Sequence, residues 1–280
     1  MTPPNRISTC HTGKFSTILN RSSRCLIFRH LSSLLLFPVF FLLTGPFPAH
    51  AQNAQEIVKA GFDYWRGETS FSVVKMTVHR PAWERVFSIR AWTKGQDRSL
   101  FHIIAPPRDK GNGTLKKGRE MWMFNPKINR AIKIPPSMMS QAWMGSDFSN
   151  DDLVKSDSLI EDYTHRLAGA EVHEGKKVFI IESVPKPAAP VVWGMQRLKI
   201  REDHIVLEEI FFDEDLKPVK IMTAHQIETI DGRLFPRTWK MRKSDVRDEY
   251  TLMEYDELKF DIRISDSVFT LTSLKNPKMR

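Results

Sequence analysis

The sequence predicts a mainly β protein: a single, wide, curved antiparallel sheet wrapped around an opening helix and a central plug. Three observations carry this. Roughly ten or eleven apolar segments recur at intervals of about 8–15 residues, each bounded by turn residues. Helical spacing is strong only at the start of the domain, so the βαβ alternation of a parallel sheet is missing. Strand twist accumulates across so many strands, so one sheet must curl, and the opening helix and the central connector are the material to fill its hollow side.

The first fifty-one residues are read apart from the fold. They carry Arg6, Lys14, Arg21, Arg24 and Arg29 and no acidic residue, then the apolar run Leu31–Leu43, then Ala49-His50-Ala51. Basic, apolar and small-x-small regions in that order predict a secretory signal peptide cleaved after Ala51. As a helix the apolar run would reach roughly 20 Å, short of a bilayer core of about 30 Å. Residues 52–280 then form a single domain. Both cysteines, Cys10 and Cys25, leave with the signal, so the domain must hold together by its core without disulfides. Five of the 42 Lys and Arg residues also leave, and the remaining 37 face 33 acidic residues. Such a mild excess excludes a nucleic-acid binder.

Gln52–Arg66 places Ala54, Ile57, Val58, Gly61, Phe62 and Trp65 at helical spacing, and Gly67 suits a helix end. Ser72, Val74, Met76 and Val78 then alternate with Val73, Lys75 and Thr77, and Phe87, Ile89 and Ala91 with Ser88, Arg90 and Trp92. That period belongs to strands with one wet face. Leu100–Ala105 is a continuous apolar strand stopped by Pro106-Pro107, and Asp109–Gly113 is a loop. Met121–Phe124 and Ile128–Ile134 flank Asn125-Pro126-Lys127 as a hairpin. Further strands are expected over Leu159–Leu167, Val178–Val184, Val191–Ile200, Ile205–Phe212, Val219–Ile227, Phe235–Lys243 and Tyr250–Ile264.

The connector between the hairpin and Leu153 carries Met138, Met139, Trp143, Met144 and Phe148. Side chains this large either plug the core or line a cavity for something apolar; Met is flexible and suits variable acyl chains. Ser149 and Asp152 have the spacing of a capping box, which explains them as a helix start rather than a metal site. Asp147 is expected to tether the connector to a basic strand such as Arg130 or Lys133. Ser146 lacks the Gly-x-Ser-x-Gly setting of a hydrolase nucleophile. His79, His102, His165, His173, His204 and His225 lie at no zinc-binding spacing, so neither metal nor cofactor is expected. Arg237–Lys243 reads as a solvated strand face or a contact for anionic lipid head groups.

Lys110-Gly111, the Leu115, Trp122 and Pro126 spacing, the basic Arg130–Lys133 strand and Met144-Gly-Ser-Asp-Phe-Ser-Asn-Asp-Asp-Leu153 together resemble the LolA-like family, as does the ending Asp266–Thr270 with Leu271 and Leu274. Its members are labelled outer-membrane lipoprotein-sorting proteins. The chain resembles the broader branch of that family more than the dedicated lipoprotein carrier. The resemblance implies a half-open β-barrel, closed by helices, in the Gram-negative periplasm, with an apolar cavity for lipids or lipoprotein acyl chains. It favours cavity lining for the five connector residues. Trp122, Phe124, Trp193, Phe211, Met222, Trp239 and Met241 are the expected lining residues on the sheet. Burying ten methylenes contributes about 8 kcal/mol, a micromolar-range affinity before ordering costs. The expectation is a monomeric carrier, not an enzyme, with lipid or acylated lipoprotein as cargo and an inner-membrane transporter as a further partner. The alternatives are an accessory subunit of a lipid-exporting transporter and an exported lipid hydrolase.

Overall fold

The computed structural model describes residues 53–154 and 158–276; the expected signal segment and its cleavage site lie outside them. The first element, α1 (Ala54–Arg66), is capped by Asn53, whose side chain accepts from the Gln55 amide, and ends at Gly67 with φ 65°. The residues at helical spacing, Ala54, Ile57, Val58, Gly61 and Phe62, form its buried face, and Trp65 is half-buried.

The chain continues through β1 (Thr69–Arg80), β2 (Trp83–Lys94), β3 (Arg98–Ala105), β4 (Gly113–Lys117), β5 (Glu120–Asn125) and β6 (Arg130–Lys133). A connector then leads through α2 (Asn150–Val154) and α3 (Ser158–Glu161) into a second meander. This comprises β7 (Tyr163–His173), β8 (Lys176–Pro185), β9 (Met195–Arg201), β10 (Val206–Phe212), β11 (Pro218–Ile230), β12 (Arg233–Lys243) and β13 (Tyr250–Phe260). The first strand, β1, pairs antiparallel with the last, β13. One sheet of thirteen strands results, ordered β6 to β1 and then β13 to β7. The sheet is curved and does not close, the half-open barrel that the family resemblance implies. Its two edges, β6 and β7, are consecutive in sequence, so the connector between them must cross the open side.

Two plugs fill the concave face. The apolar stripe of α1 packs with Leu159 and Tyr163 against Ile181, Leu198, Ile200, Phe211 and Trp239 of the second meander. Trp143 and Val154 of the connector pack against Met76, Val78, Phe87, Ile89, Ile103 and Met121 of the first. On the opposite face, the C-terminal segment with α4 (Leu271–Lys275) buries Ile264, Phe269 and Leu274 against Leu100, Leu115 and Phe124. A Cβ on Gly113 would lie 2.8 Å from a Leu274 methyl and 2.9 Å from the His102 ring, so a larger residue here would force those side chains to shift.

The strand count exceeds the roughly ten or eleven expected from spacing. β4 shows no alternation because it is covered on both faces: Leu115 lies under Phe269 and Leu274, and Thr114 accepts a bond from the Trp143 indole. The segment expected to open a strand at Leu159 is a helical turn, and β7 starts at Tyr163. There Leu159 packs on α1, and the Gln55 side chain donates to the Ile160 carbonyl. Val191–Gly194 stays outside β9, and Ile262 and Ile264 lie past the end of β13, where they join the C-terminal cluster. In β13 the register against β1 skips Asp256. This bulge changes the phase of alternation, so Leu258, Tyr255 and Met253 share one face.

Candidate ligand cavity

Between the two plugs lies a cavity of about 220 Å³. Its origin is visible in the register of β1 and β2. Ser70 faces Thr93, Ser72 faces Ala91, Val74 faces Ile89 and Met76 faces Phe87, so inward pairs grow along the strands. The first three pairs line the cavity, and the last belongs to the packed cluster under the connector. Small side chains leave space that large ones fill further along. Facing them are Phe62 and Trp65 of α1 and an aromatic wall from the second meander. Trp65 meets Trp239 of that wall at 5.4 Å between ring centroids, and within the wall Trp193 and Phe211 lie 5.3 Å apart. Tyr163 and Tyr255 also line it, and burial pushes both hydroxyls up to about 12.

The connector covers the open side as a tight loop. The Trp143 amide donates to the Phe148 carbonyl at 2.7 Å, and left-handed conformations at Met144 (φ 55°) and Gly145 (φ 78°) make the turn. Trp143 is 2% exposed, and its indole N–H donates to Thr114 at 3.1 Å. The Ser146 hydroxyl donates to the Trp143 carbonyl at 2.7 Å, which makes this serine a turn residue. Asp147 clamps the loop to the sheet. Its side chain, 2% exposed, takes two bonds from the Arg80 guanidinium at 3.1 and 3.2 Å and one from the Thr251 hydroxyl at 2.7 Å. The tether therefore exists, but its cation is Arg80, not Arg130 or Lys133. Those two stand exposed on the edge strand β6, where Lys133 pairs with Glu120. Charge alone does not reveal which cation the topology brings under the loop.

The capping box forms in both directions: the Ser149 amide donates to Asp152 at 2.7 Å, and the Asp152 amide to the Ser149 hydroxyl at 3.2 Å. The same Asp152 oxygen accepts from Lys220 Nζ at 2.5 Å. Lys220 also stands over the rings of Trp193 and Phe211, 4.8 and 5.5 Å from their centroids. Beside this pair Glu209 lines the cavity at 5% exposure. Burial, reinforced by the Asp152 charge and opposed by Lys220, pushes its carboxyl up to about 8.

Of the residues singled out from sequence, Trp143, Phe148, Trp193, Phe211, Met222, Trp239 and Met241 line the cavity. The others lie elsewhere. Trp122 and Phe124 pack in the C-terminal cluster, because β5 is apolar on both sides and its other face, Met121 and Met123, turns inward. Met139 and Met144 are half-buried against the connector cluster, and Met138 is 37% exposed. Sequence reading missed Ser70, Ser72 and Thr93, which stand in phase with the apolar residues of their strands, and the polar Tyr163, Gln196 and Glu209. The basic residues of Arg237–Lys243 alternate with inward Trp239 and Met241, and Arg237 pairs with Glu228, so the run is an ordinary strand face.

A curved half-barrel with an apolar cavity under a helix and a connector is the arrangement that the LolA-like resemblance implies. Residues 95–276 match a family profile described as an uncharacterized protein, and the chain belongs to that family. Its fold is shared with a DUF1329 family protein from Desulfovibrio piger, at 24% identity and a TM-score of 0.67 over 78% of this chain and 98% of that one. A domain from Vibrio parahaemolyticus classed with outer membrane lipoprotein-sorting proteins matches at 19% identity and 0.68, over 79% and 98%. A LolA superfamily protein from Nitrosomonas europaea matches at 21% and 0.65, again over 79% and 98%. These likenesses uphold the LolA-like reading of the residues at the level of the fold. No curated protein sequence matches the chain.

Proposed function

We propose that this protein is a periplasmic carrier for lipids or lipoprotein acyl chains, and that it works by binding rather than catalysis. The observation that carries the reading is the cavity itself, walled by Trp, Phe and Met on one side and kept open by Ser, Ala and Thr on the other. Apolar cavities of about 150 Å³ stay dry and take up small hydrocarbons, so 220 Å³ suits part of an acyl chain. Sites for larger ligands run from about 300 Å³ upward. A long or branched chain therefore requires the connector to shift, and Met144, Gly145 and Phe148 form the movable stretch. Two of the proteins sharing the fold bear lipoprotein-sorting or LolA names, which supports the same reading. No helix among the described residues is long and apolar enough to cross a membrane. A transporter in the inner membrane would be the donor.

The test is to purify the protein from a Gram-negative host and analyse a solvent extract by mass spectrometry. Co-purifying lipid, or uptake of an acyl probe by the stripped protein, is expected. Protein that emerges empty and takes up no acyl probe would refute the carrier function.

A further inference from the structure

We propose that Glu209 is the polar anchor of the cavity, and that its carboxyl binds the carbonyl oxygen of an ester or amide at the head of an acyl chain. The proposal rests on the carrier reading and adds to it the chemistry of the cargo's head. Glu209 occupies an inward position of β10 between Leu198 and Met222 in the register, where an apolar residue would complete the wall. It is 95% buried, taking the 5% exposure, and among the described residues none hydrogen-bonds its carboxyl. Leaving a carboxyl so placed without a partner costs on the order of kilocalories, and burial drives it to the protonated form. A protonated carboxyl is a donor as well as an acceptor, and it faces the empty space where a ligand would lie.

The surrounding charges select the head group. Lys220 is already held by Asp152, so a free carboxylate or phosphate would have to displace an existing ion pair. An ammonium would find Asp152 already paired with Lys220 and would need an ionised Glu209, a charge that its burial opposes. A neutral carbonyl meets neither obstacle, and it also takes the one donor that Glu209 has to offer. Tyr163 at the same wall has its hydroxyl directed at the Trp193 carbonyl, 3.3 Å away, so it does not compete for Glu209. The acyl chain beyond the carbonyl would run along the aromatic wall toward the space left by Ser70 and Ser72.

The test measures displacement of the apolar dye N-phenylnaphthylamine from the delipidated protein by dodecane, methyl laurate and dodecylamine. It uses wild type, Glu209→Leu and Glu209→Gln. Comparing ester with alkane within each protein cancels their common chain. The ester-to-alkane affinity ratio is expected to fall about tenfold in Glu209→Leu, the worth of one hydrogen bond. It should be retained within about threefold in Glu209→Gln, whose amide can still donate. An unchanged ratio in Glu209→Leu overturns the anchor and leaves the carrier standing. Preferential binding of dodecylamine that disappears in Glu209→Gln overturns the carbonyl assignment in favour of an amine. Dye displaced by none of the three from wild type removes both the anchor and the carrier.

Discussion

The clamp between Asp147 and Arg80 decides whether the connector stays shut, and its two halves differ in how much each would leave exposed. Arg80 has other partners: Nη1 donates to the carbonyls of His79 at 2.7 Å and Tyr250 at 3.2 Å, and Nε lies 3.6 Å from Glu249. Among the described residues, Asp147 has only Thr251 besides Arg80, and its side chain is almost wholly buried. Removing one partner of a buried ion pair costs about 3–5 kcal/mol. Asp147→Ala should fall at the low end, about 3 kcal/mol, because Arg80 keeps the two carbonyls and Glu249 as partners. Arg80→Met should fall at the high end, about 5 kcal/mol, because it strands a buried carboxylate. Since Asp147 belongs to the loop, much of the loss should appear as local opening. Amide exchange of Trp143 and Asp151, which donate to Phe148 and Met139, should accelerate roughly 10²-fold in Asp147→Ala, the equivalent of about 3 kcal/mol. Urea denaturation gives the global cost and hydrogen exchange the local one. If both substitutions cost under about 0.5 kcal/mol, or Asp147→Ala is the more damaging, the pair is not the desolvated clamp described.

Four further perturbations test other parts of the structure. Glu209 has a folded-state value of about 8 against 4.5, so above pH 4.5 the folded state holds a proton that the unfolded chain has lost. Its burial therefore lowers stability as pH rises from about 4.5 to 8, and the stabilisation by Glu209→Leu should be greater at pH 7 than near pH 4 by roughly 3 kcal/mol; a pH-independent difference in urea midpoints would count against this. Trp143→Ala should cost about 3–5 kcal/mol in denaturation because it empties a packed site and orphans Thr114. Phe148→Ala, at a half-buried position, should cost about 1 kcal/mol and weaken acyl-probe binding instead. Gly194→Ala would place a Cβ 2.4 Å from the Asp213 carbonyl oxygen, a backbone clash expected to cost about 3 kcal/mol in thermal or urea unfolding; a neutral result would mean that the loop beside Trp193 yields freely.

Much of the fold was legible because its signals are local. The helical spacing of Ala54 to Phe62, the period-two alternation of β1 and β2, and the Ser149–Asp152 capping box depend on neighbours a few residues away. They survive unchanged in the structure. β4 escaped for the opposite reason: strands covered on both faces lose the alternation that identifies them. The cavity residues divide the same way. Trp239 and Met241 were recoverable because they alternate with the basic residues of their strand. Trp122 and Phe124 were misplaced because nothing local says which apolar face of β5 turns inward.

The residues by themselves determined a curved antiparallel sheet, an opening helix, a capped connector and a LolA-like family pattern, since each is encoded in short-range periodicity or in a contiguous motif. Tertiary structure alone decided where the empty space lies. That space arises from the size gradient along the paired positions, from Ser72 with Ala91 to Met76 with Phe87. It alone also brought Arg80 under Asp147, 67 residues away, and set the buried Glu209 beside Asp152 and Lys220. Charge and size are written in the chain, but which charges and sizes face one another depends on register across strands distant in sequence.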